Sequence, residues 1–188
     1  MEIIKRSLLE AQKILHEFIN NEKNLLNIEK AGKIILNSIK NGNKIIACGN
    51  GGSMADAIHF AEELSGFFRD KRKPIPAIAI SDSAHITCVA NDLGFNFIFS
   101  RYIECIGNKG DILLAISTSG NSPNIIEAAK VAKNKEILII GLTGKDGGKL
   151  ANYCDVEIRA PYSKYSDRTQ EIHIKVIHCL IEYIENNI

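Results

Sequence analysis

KIIACGNGGSMADAIHFAEEL, residues 44–64, decides how the rest of the chain is read. KIIAC is an apolar run, short and without alternation, as expected of a strand covered on both faces. G-N-G-G-S (49–53) is a turn, and the residues after it open a helix on which His59 and Glu63, four apart, share a face. Working outward, PAIAI (76–80), DILLAIS (111–117), ILIIGL (137–142) and DVEIR (155–159) are further short apolar runs separated by helical stretches. Strands of this kind joined by helices make a parallel sheet. The expected fold class is α/β: a doubly wound, five-stranded parallel sheet with the flavodoxin-like order 2-1-3-4-5.

The first forty residues are expected to be helical throughout. Ile4, Leu8, Ala11, Leu15 and Phe18 follow a four-three-four-three spacing, and Leu25, Ile28, Ile35 and Ile39 form a second series. So narrow a seam suits packing against other helices. Residues 1–40 therefore read as an N-terminal helical extension, and 44–188 as the α/β core of a single 1–188 domain. The last segment, SDRTQEIHIKVIHCLIEYIENNI (166–188), reads as one helix. At about 100° per residue, Ile172, Ile174, Val176, Ile177, Leu180, Ile181 and Ile184 spread beyond a half circle. That arc exceeds what one core would cover, and with the N-terminal seam it predicts a homo-oligomer.

Lys and Arg number 23 against 22 Asp and Glu, a net charge of +1 that gives no reason to expect nucleic acid or a membrane surface as partner. No apolar run approaches the roughly 20 residues of a membrane span. The opening segment is broken by Glu2, Lys5, Arg6, Glu10, Lys13 and Glu17, which a secretion signal would not tolerate. A cytoplasmic location is expected. Cys48, Cys88, Cys105, Cys154 and Cys179 are odd in number, lie in apolar runs and contain no C-x-x-C pair. They read as reduced core thiols.

Two strand-to-helix turns are rich in donors. The first holds Asn50, Gly51, Gly52 and Ser53; the second holds Ser117, Thr118, Ser119 and Ser122, followed by Pro123 at a helix start. Glycines admit close backbone approach, hydroxyls add donors, and a helix N-terminus carries partial positive charge, a combination that favours phosphate. In the order 2-1-3-4-5 these turns leave strands one and three, flanking the switch point where such sheets bind ligands. Met54 stands where a dinucleotide fingerprint needs its third glycine, and nothing matches G-x-x-x-x-G-K-[ST]. A phosphomonoester fits better than a nucleotide.

His59 and Glu63 taken alone read first as a solvated helix edge with a modest ion pair; their place after the first loop is what turns them toward chemistry. Asp167, Gln170, His173 and His178 form a second polar set on the last helix. Gln170 falls within the apolar arc, where an amide without a partner costs about 1–3 kcal/mol; a buried structural amide is the competing reading. Gln170 and His178 stand about 12 Å apart along a helix axis, so one ion shared by both would require extended side chains. Beside a phosphate site, a carboxylate, an imidazole and a cation would suit aldose–ketose isomerisation, which needs a base, an acid and positive charge near the enediolate. His, Glu, Gln and His also make an N/O set compatible with zinc acting as a Lewis acid.

From about residue 45 onward, C-G-N-G-G-S, H-F-A-E-E-L, A-I-A-I-S-D, N-D-L-G-F, I-S-T-S-G-N-S, L-T-G-K-D-G-G and D-R-T-Q-E-I-H-I-K-V-I-H resemble the successive motifs of the bacterial phosphoheptose isomerases, in the sugar isomerase (SIS) domain family. The resemblance implies conversion of sedoheptulose 7-phosphate to D-glycero-D-manno-heptose 7-phosphate, the first step of heptose synthesis for surface polysaccharide, either lipopolysaccharide or capsule. It implies Glu63 as the base and His178 as its acid–base partner. Ser53, Ser117, Thr118, Ser119 and Ser122 would hold the phosphate end; Asn50, Gly51 and Gly52 join the binding set, and Asn91 and Asp92 would contact the sugar. Asp167 and Gln170 would lie near the substrate. His59, Glu63, Gln170 and His178 would be the ligands of one zinc per subunit, in a homotetramer with sites at subunit boundaries.

One departure concerns Phe67 and Phe68, which precede Arg69 where the family places a basic residue directly after the glycine of E-L-S-G. That contact passes to Arg69 or is lost. Two non-enzymatic readings share the fold: a non-catalytic SIS protein such as a DnaA-associating replication initiation factor, and a sugar-phosphate-sensing regulatory module. Glu63, Gln170 and His178 favour the enzyme, since a scaffold gains nothing from them.

Overall fold

Five short apolar segments pair into one all-parallel sheet, in a computed structural model that describes all 188 residues. They are β1 (Ile45–Gly49), β2 (Ala77–Ala79), β3 (Ile112–Ser117), β4 (Leu138–Thr143) and β5 (Val156–Arg159), in the order β2-β1-β3-β4-β5. Seven α-helices accompany them: α1 (Glu2–Ile19), α2 (Glu22–Lys40), α3 (Gly52–Ser65), α4 (Ser83–Asp92), α5 (Ser100–Ile106), α6 (Pro123–Asn134) and α7 (Ser166–Glu185).

Side-chain alternation along the strands feeds two cores. Ile45, Ala47, Ile112, Leu114, Ile116, Ile140 and Leu142 pack with residues of α1, α2, α3 and α7. Ile46, Cys48, Leu113, Ala115 and Ile139 face the other way, toward α5 and α6. Both faces are covered, which is why the strands read as unbroken apolar runs. β5 is an edge strand, and α2 caps it. Asn24 Nδ2 donates to the Arg159 carbonyl at 3.0 Å and Asn27 Nδ2 to that of Glu157 at 2.7 Å, which occupies acceptors an open edge would expose.

The N-terminal forty residues form two helices. The break falls at Asn20–Asn21, where Asn20 Nδ2 turns back to the His16 carbonyl at 2.9 Å and Asn21 takes an extended backbone. Asparagine bonds its own backbone in place of continuing a helix. Ile14 and Phe18 are buried, whereas Ile4 and Leu8 of the expected seam stay exposed beside Ile3 and Leu9.

The broad apolar arc of α7 is filled within the chain. Ile172, Val176, Ile177, Leu180, Ile181 and Ile184 are all buried in the core shared with α1, α2 and α3. A helix flanked by three others and a sheet has more than one core face, so the width of the arc does not require a second subunit. Arg168, in the first turn of α7, ties α1 in place through Glu10 and Ser7.

The cysteine expectation is corrected. Only Cys48 is buried; Cys88, Cys105 and Cys179 are exposed and Cys154 is intermediate, all of them free thiols. Three of these lie on the outer faces of helices, which an apolar neighbourhood in sequence does not reveal. No helix is long and apolar enough to cross a membrane.

Candidate active site

β1 and β3 are adjacent in the sheet, so the loops that follow them emerge side by side. Gly51 sits at φ 55°, ψ −121°, a backbone that side chains rarely adopt, and this turn launches α3 directly from the strand. At the second loop, Gly120 lies so close to the Gly147 carbonyl that no side chain could be accommodated there. The L-T-G-K-D-G-G segment thereby packs over S-T-S-G-N-S, and Lys149 N donates to Asn121 Oδ1 at 3.1 Å. Ser117 and Ser122 hydroxyls stand 3.1 Å apart across the loop. The backbone N–H groups of Gly51, Thr118, Ser119 and Ser122 donate to no acceptor in the chain. Thr118 also lines a cleft of about 290 Å³ with Lys145, Ser163, Lys164, Ser166 and Thr169. Unpaired N–H groups, hydroxyls and helix ends at one place suit an anion.

Beyond the first loop, α3 and α7 lie side by side. Gly52 meets Gln170: a Cβ on that glycine would lie 2.6 Å from Gln170 Nε2, so the glycine makes the cradle in which the amide rests. Further along, His59 Nε2 stands 3.3 Å from Glu63 Oε1 and 3.4 Å from His178 Nε2, with the two imidazoles edge to face. Glu62 reaches the same cluster, 3.9 Å from His59 Nε2. Burial, assisted by the nearby His59, lowers the pKa of His178 below its ordinary value, against the pull of Glu63.

The sequence set is only partly brought together. His59, Glu63 and His178 converge, and Gln170 joins the same helix pair through Gly52. Asn91 and Asp92 do not join them: at the far end of α4 they are exposed and bonded to each other, with Cys88 Sγ on Asp92. Asp167 is exposed, its carboxylate accepting from the Arg168 N–H at 2.8 Å. His173 belongs elsewhere. It is buried, its Nε2 donating to the Thr143 carbonyl at 2.9 Å, and it locks α7 to the end of β4.

Three site residues escaped the sequence reading. Glu62 is one. Asp56 is buried with Oδ2 unpartnered, and burial pushes its pKa up to about 6 against the pull of His59. It lies one turn before His59 on the same stripe, so extending the helical count would have found it. Phe68 stacks on His178 with ring centroids 5.6 Å apart, a contact with no local sequence signal. The Arg69 guanidinium lies over Phe68 and pairs with Glu182, so of the two outcomes open for the family's basic contact, transfer to Arg69 or loss, this arrangement engages Arg69 on the surface of α7. The loop itself is pinned. Glu185 accepts from the N–H groups of Phe68 and Arg69 at 2.9 and 3.0 Å and pairs with Arg72, which donates to the Glu63 and Leu64 carbonyls at the end of α3.

A parallel sheet with two donor-rich loops at its switch point and an imidazole–carboxylate cluster on the adjoining helix pair defines an α/β protein whose site suits a small phosphorylated ligand. The model of the SIS domain family matches residues 8–144. The phosphoheptose isomerase of Cytophaga hutchinsonii is 59% identical over 179 residues, covering 95% of this chain and 94% of that one. Among solved structures, a phosphoheptose isomerase from Francisella tularensis superposes with TM-score 0.94 at 37% identity, covering 99% of this chain and 98% of that one. The phosphoheptose isomerase from Neisseria gonorrhoeae gives TM-score 0.92 at 37% identity, with 98% of each chain covered. This chain belongs to the phosphoheptose isomerase family of SIS domain proteins.

Proposed function

We propose that the chain interconverts sedoheptulose 7-phosphate and D-glycero-D-manno-heptose 7-phosphate through an enediolate, supplying heptose for surface polysaccharide. The observation that carries this reading is the meeting of His59 and Glu63, on the helix that starts at the first loop, with His178 of α7. Glu63 removes a C1 proton of the ketose, exchanges it with solvent and delivers a proton to C2, which turns ketose into aldose. His178, neutral under ordinary conditions because its pKa is depressed, relays protons between the oxygens on C1 and C2. The N–H groups and hydroxyls of Gly51, Ser53, Thr118, Ser119 and Ser122 hold the phosphate, which fixes C1 and C2 against the cluster.

The donor set also fits zinc. Two ligands about 2.0–2.1 Å from one tetrahedral ion stand about 3.3–3.4 Å apart, and the His59–Glu63 and His59–His178 separations are 3.3 and 3.4 Å. A single Nε2 proton on His59 can satisfy only one of these neighbours, whereas a cation satisfies all three. His59, Glu63, Gln170 and His178 would hold it, so that Glu63 and His178 would each carry a ligand role besides their proton transfers. Bound there, it would polarise the carbonyl and stabilise the enediolate oxygens.

The separation of Asn91 and Asp92 from the cluster supports sites completed between subunits, in a homotetramer for which the exposed Ile3, Ile4, Leu8 and Leu9 of α1 offer apolar surface. The balanced charge supports a small-molecule substrate. The test is incubation with sedoheptulose 7-phosphate, following aldose formation. Turnover is expected; its absence from the folded, zinc-loaded protein would favour a non-catalytic role.

A further inference from the structure

Two loops that grip one phosphate must be held in fixed register, and a single side-chain pair joins them here. Asn50 belongs to the first loop; Asn124, the second residue of α6, follows the second loop and is only 1% exposed. Their amides bond reciprocally, Asn50 Nδ2 donating to Asn124 Oδ1 at 2.9 Å and Asn124 Nδ2 to Asn50 Oδ1 at 2.8 Å. Asn124 Oδ1 also accepts from the Ile125 N–H at 3.0 Å. That third bond fixes which end of the Asn124 amide is oxygen, and through the pair it fixes the orientation of Asn50 as well. An apolar contact would hold the distance between the loops and leave their relative rotation free. A reciprocal amide pair sets both.

Resting on the phosphate-cradle reading above, we propose that Asn124 is a positioning residue: it clamps G-N-G-G-S against S-T-S-G-N-S so that the free N–H groups of both loops aim at one phosphate. It acts through Asn50 and the loop backbones, not by contact with the sugar. Asn124→Asp sets an oxygen against Asn50 Oδ1 and leaves at most one of the two bonds. The cradle then loosens while the cluster of α3 and α7 is untouched. Phosphate affinity should therefore fall, and the chemical step should not.

The experiment is calorimetric titration of the full-length protein with inorganic phosphate, paired with steady-state kinetics on sedoheptulose 7-phosphate. Asn124→Asp is expected to weaken phosphate about tenfold and raise KM by a similar factor, with kcat changed less than about twofold. Asn124→Ala, which removes the bonds without opposing like oxygens, serves if the aspartate variant does not fold. In a double-mutant cycle with Asn50→Ala the two losses should overlap rather than multiply. A folded variant that melts earlier yet binds phosphate as the unaltered protein does would overturn the clamp, as would a loss confined to kcat. Failure of the unaltered protein to bind phosphate would overturn the cradle reading and the clamp with it; normal binding there with an unaffected variant sinks only the clamp.

Discussion

His59 and His178 lie 119 positions apart in the chain, yet their Nε2 atoms face each other at 3.4 Å, on two helices that pack together. His59 Nε2 thus stands between the His178 imidazole and the Glu63 carboxylate, and His59, Glu62 and Glu63 offer ligand atoms within 4.8 Å of one another, donors of the kind a divalent cation takes. Elemental analysis of the purified protein should find about one zinc per chain. Either His59→Ala or His178→Ala should lower that content to near zero after dialysis and reduce kcat/KM by roughly 10²–10⁴-fold. Full activity after exhaustive chelation would exclude the zinc reading.

The loop after α3 gives a second expectation. Glu185 is buried beneath it, holding the N–H groups of Phe68 and Arg69 and the guanidinium of Arg72. Glu185→Ala releases all three partners at once and leaves the Arg72 charge without its carboxylate. The loop carries Arg69, Lys71, Arg72 and Lys73, so trypsin reads the change directly. Cleavage there should accelerate at least about tenfold, and kcat should fall severalfold as Phe68 withdraws from His178. A protease-resistant variant would show that the loop is held by other contacts.

How much of this was legible in the sequence depended on whether the signal was local. Strand order, the two strand-to-helix turns after β1 and β3 and the His59–Glu63 pair were legible from periodicity, turn chemistry and fold class, and the strands differ from the expected segments by a residue at most ends. The position of the helix break at Asn20–Asn21 was not legible, because the apolar spacing continues across it. The depth of α7 in the core was missed for a different reason: the arc shows how much surface must be covered, not whose surface covers it. Phe68 on His178 and Asn50 on Asn124 are contacts between distant segments, and no window of sequence contains them.

His173 makes stability depend on pH. Burial lowers its pKa to about 4, so the folded protein keeps it neutral where the unfolded chain, with an ordinary value of about 6.5, takes up a proton. Between those values the unfolded state binds more protons, so stability rises with pH across the window and is lost as pH falls through it. The loss reaches on the order of 2–3 kcal/mol by pH 4. Urea unfolding at pH 7, 5.5 and 4.5 should show a shallower decline for His173→Gln, which can still donate to the Thr143 carbonyl. Parallel declines would remove His173 as the source.

The exposed face of α1 bears on assembly. Ile4 and Leu8 lie one turn apart on it, and two carboxylates there would oppose any apolar interface. Sedimentation velocity of the unaltered protein should give a tetramer, and Ile4→Glu with Leu8→Glu a smaller species. An unaltered tetramer in the double variant would move the interface elsewhere.

The central claim is that Glu63 is the proton-abstracting base. Isomerisation of sedoheptulose 7-phosphate in deuterium oxide, followed by proton NMR, tests it in one measurement. The unaltered protein should deliver aldose carrying solvent deuterium at C2, and Glu63→Gln, folded and assayed alongside, should slow that delivery by roughly 10²–10⁴-fold. Turnover in Glu63→Gln at the unaltered rate, with the same deuterium content, would contradict the account.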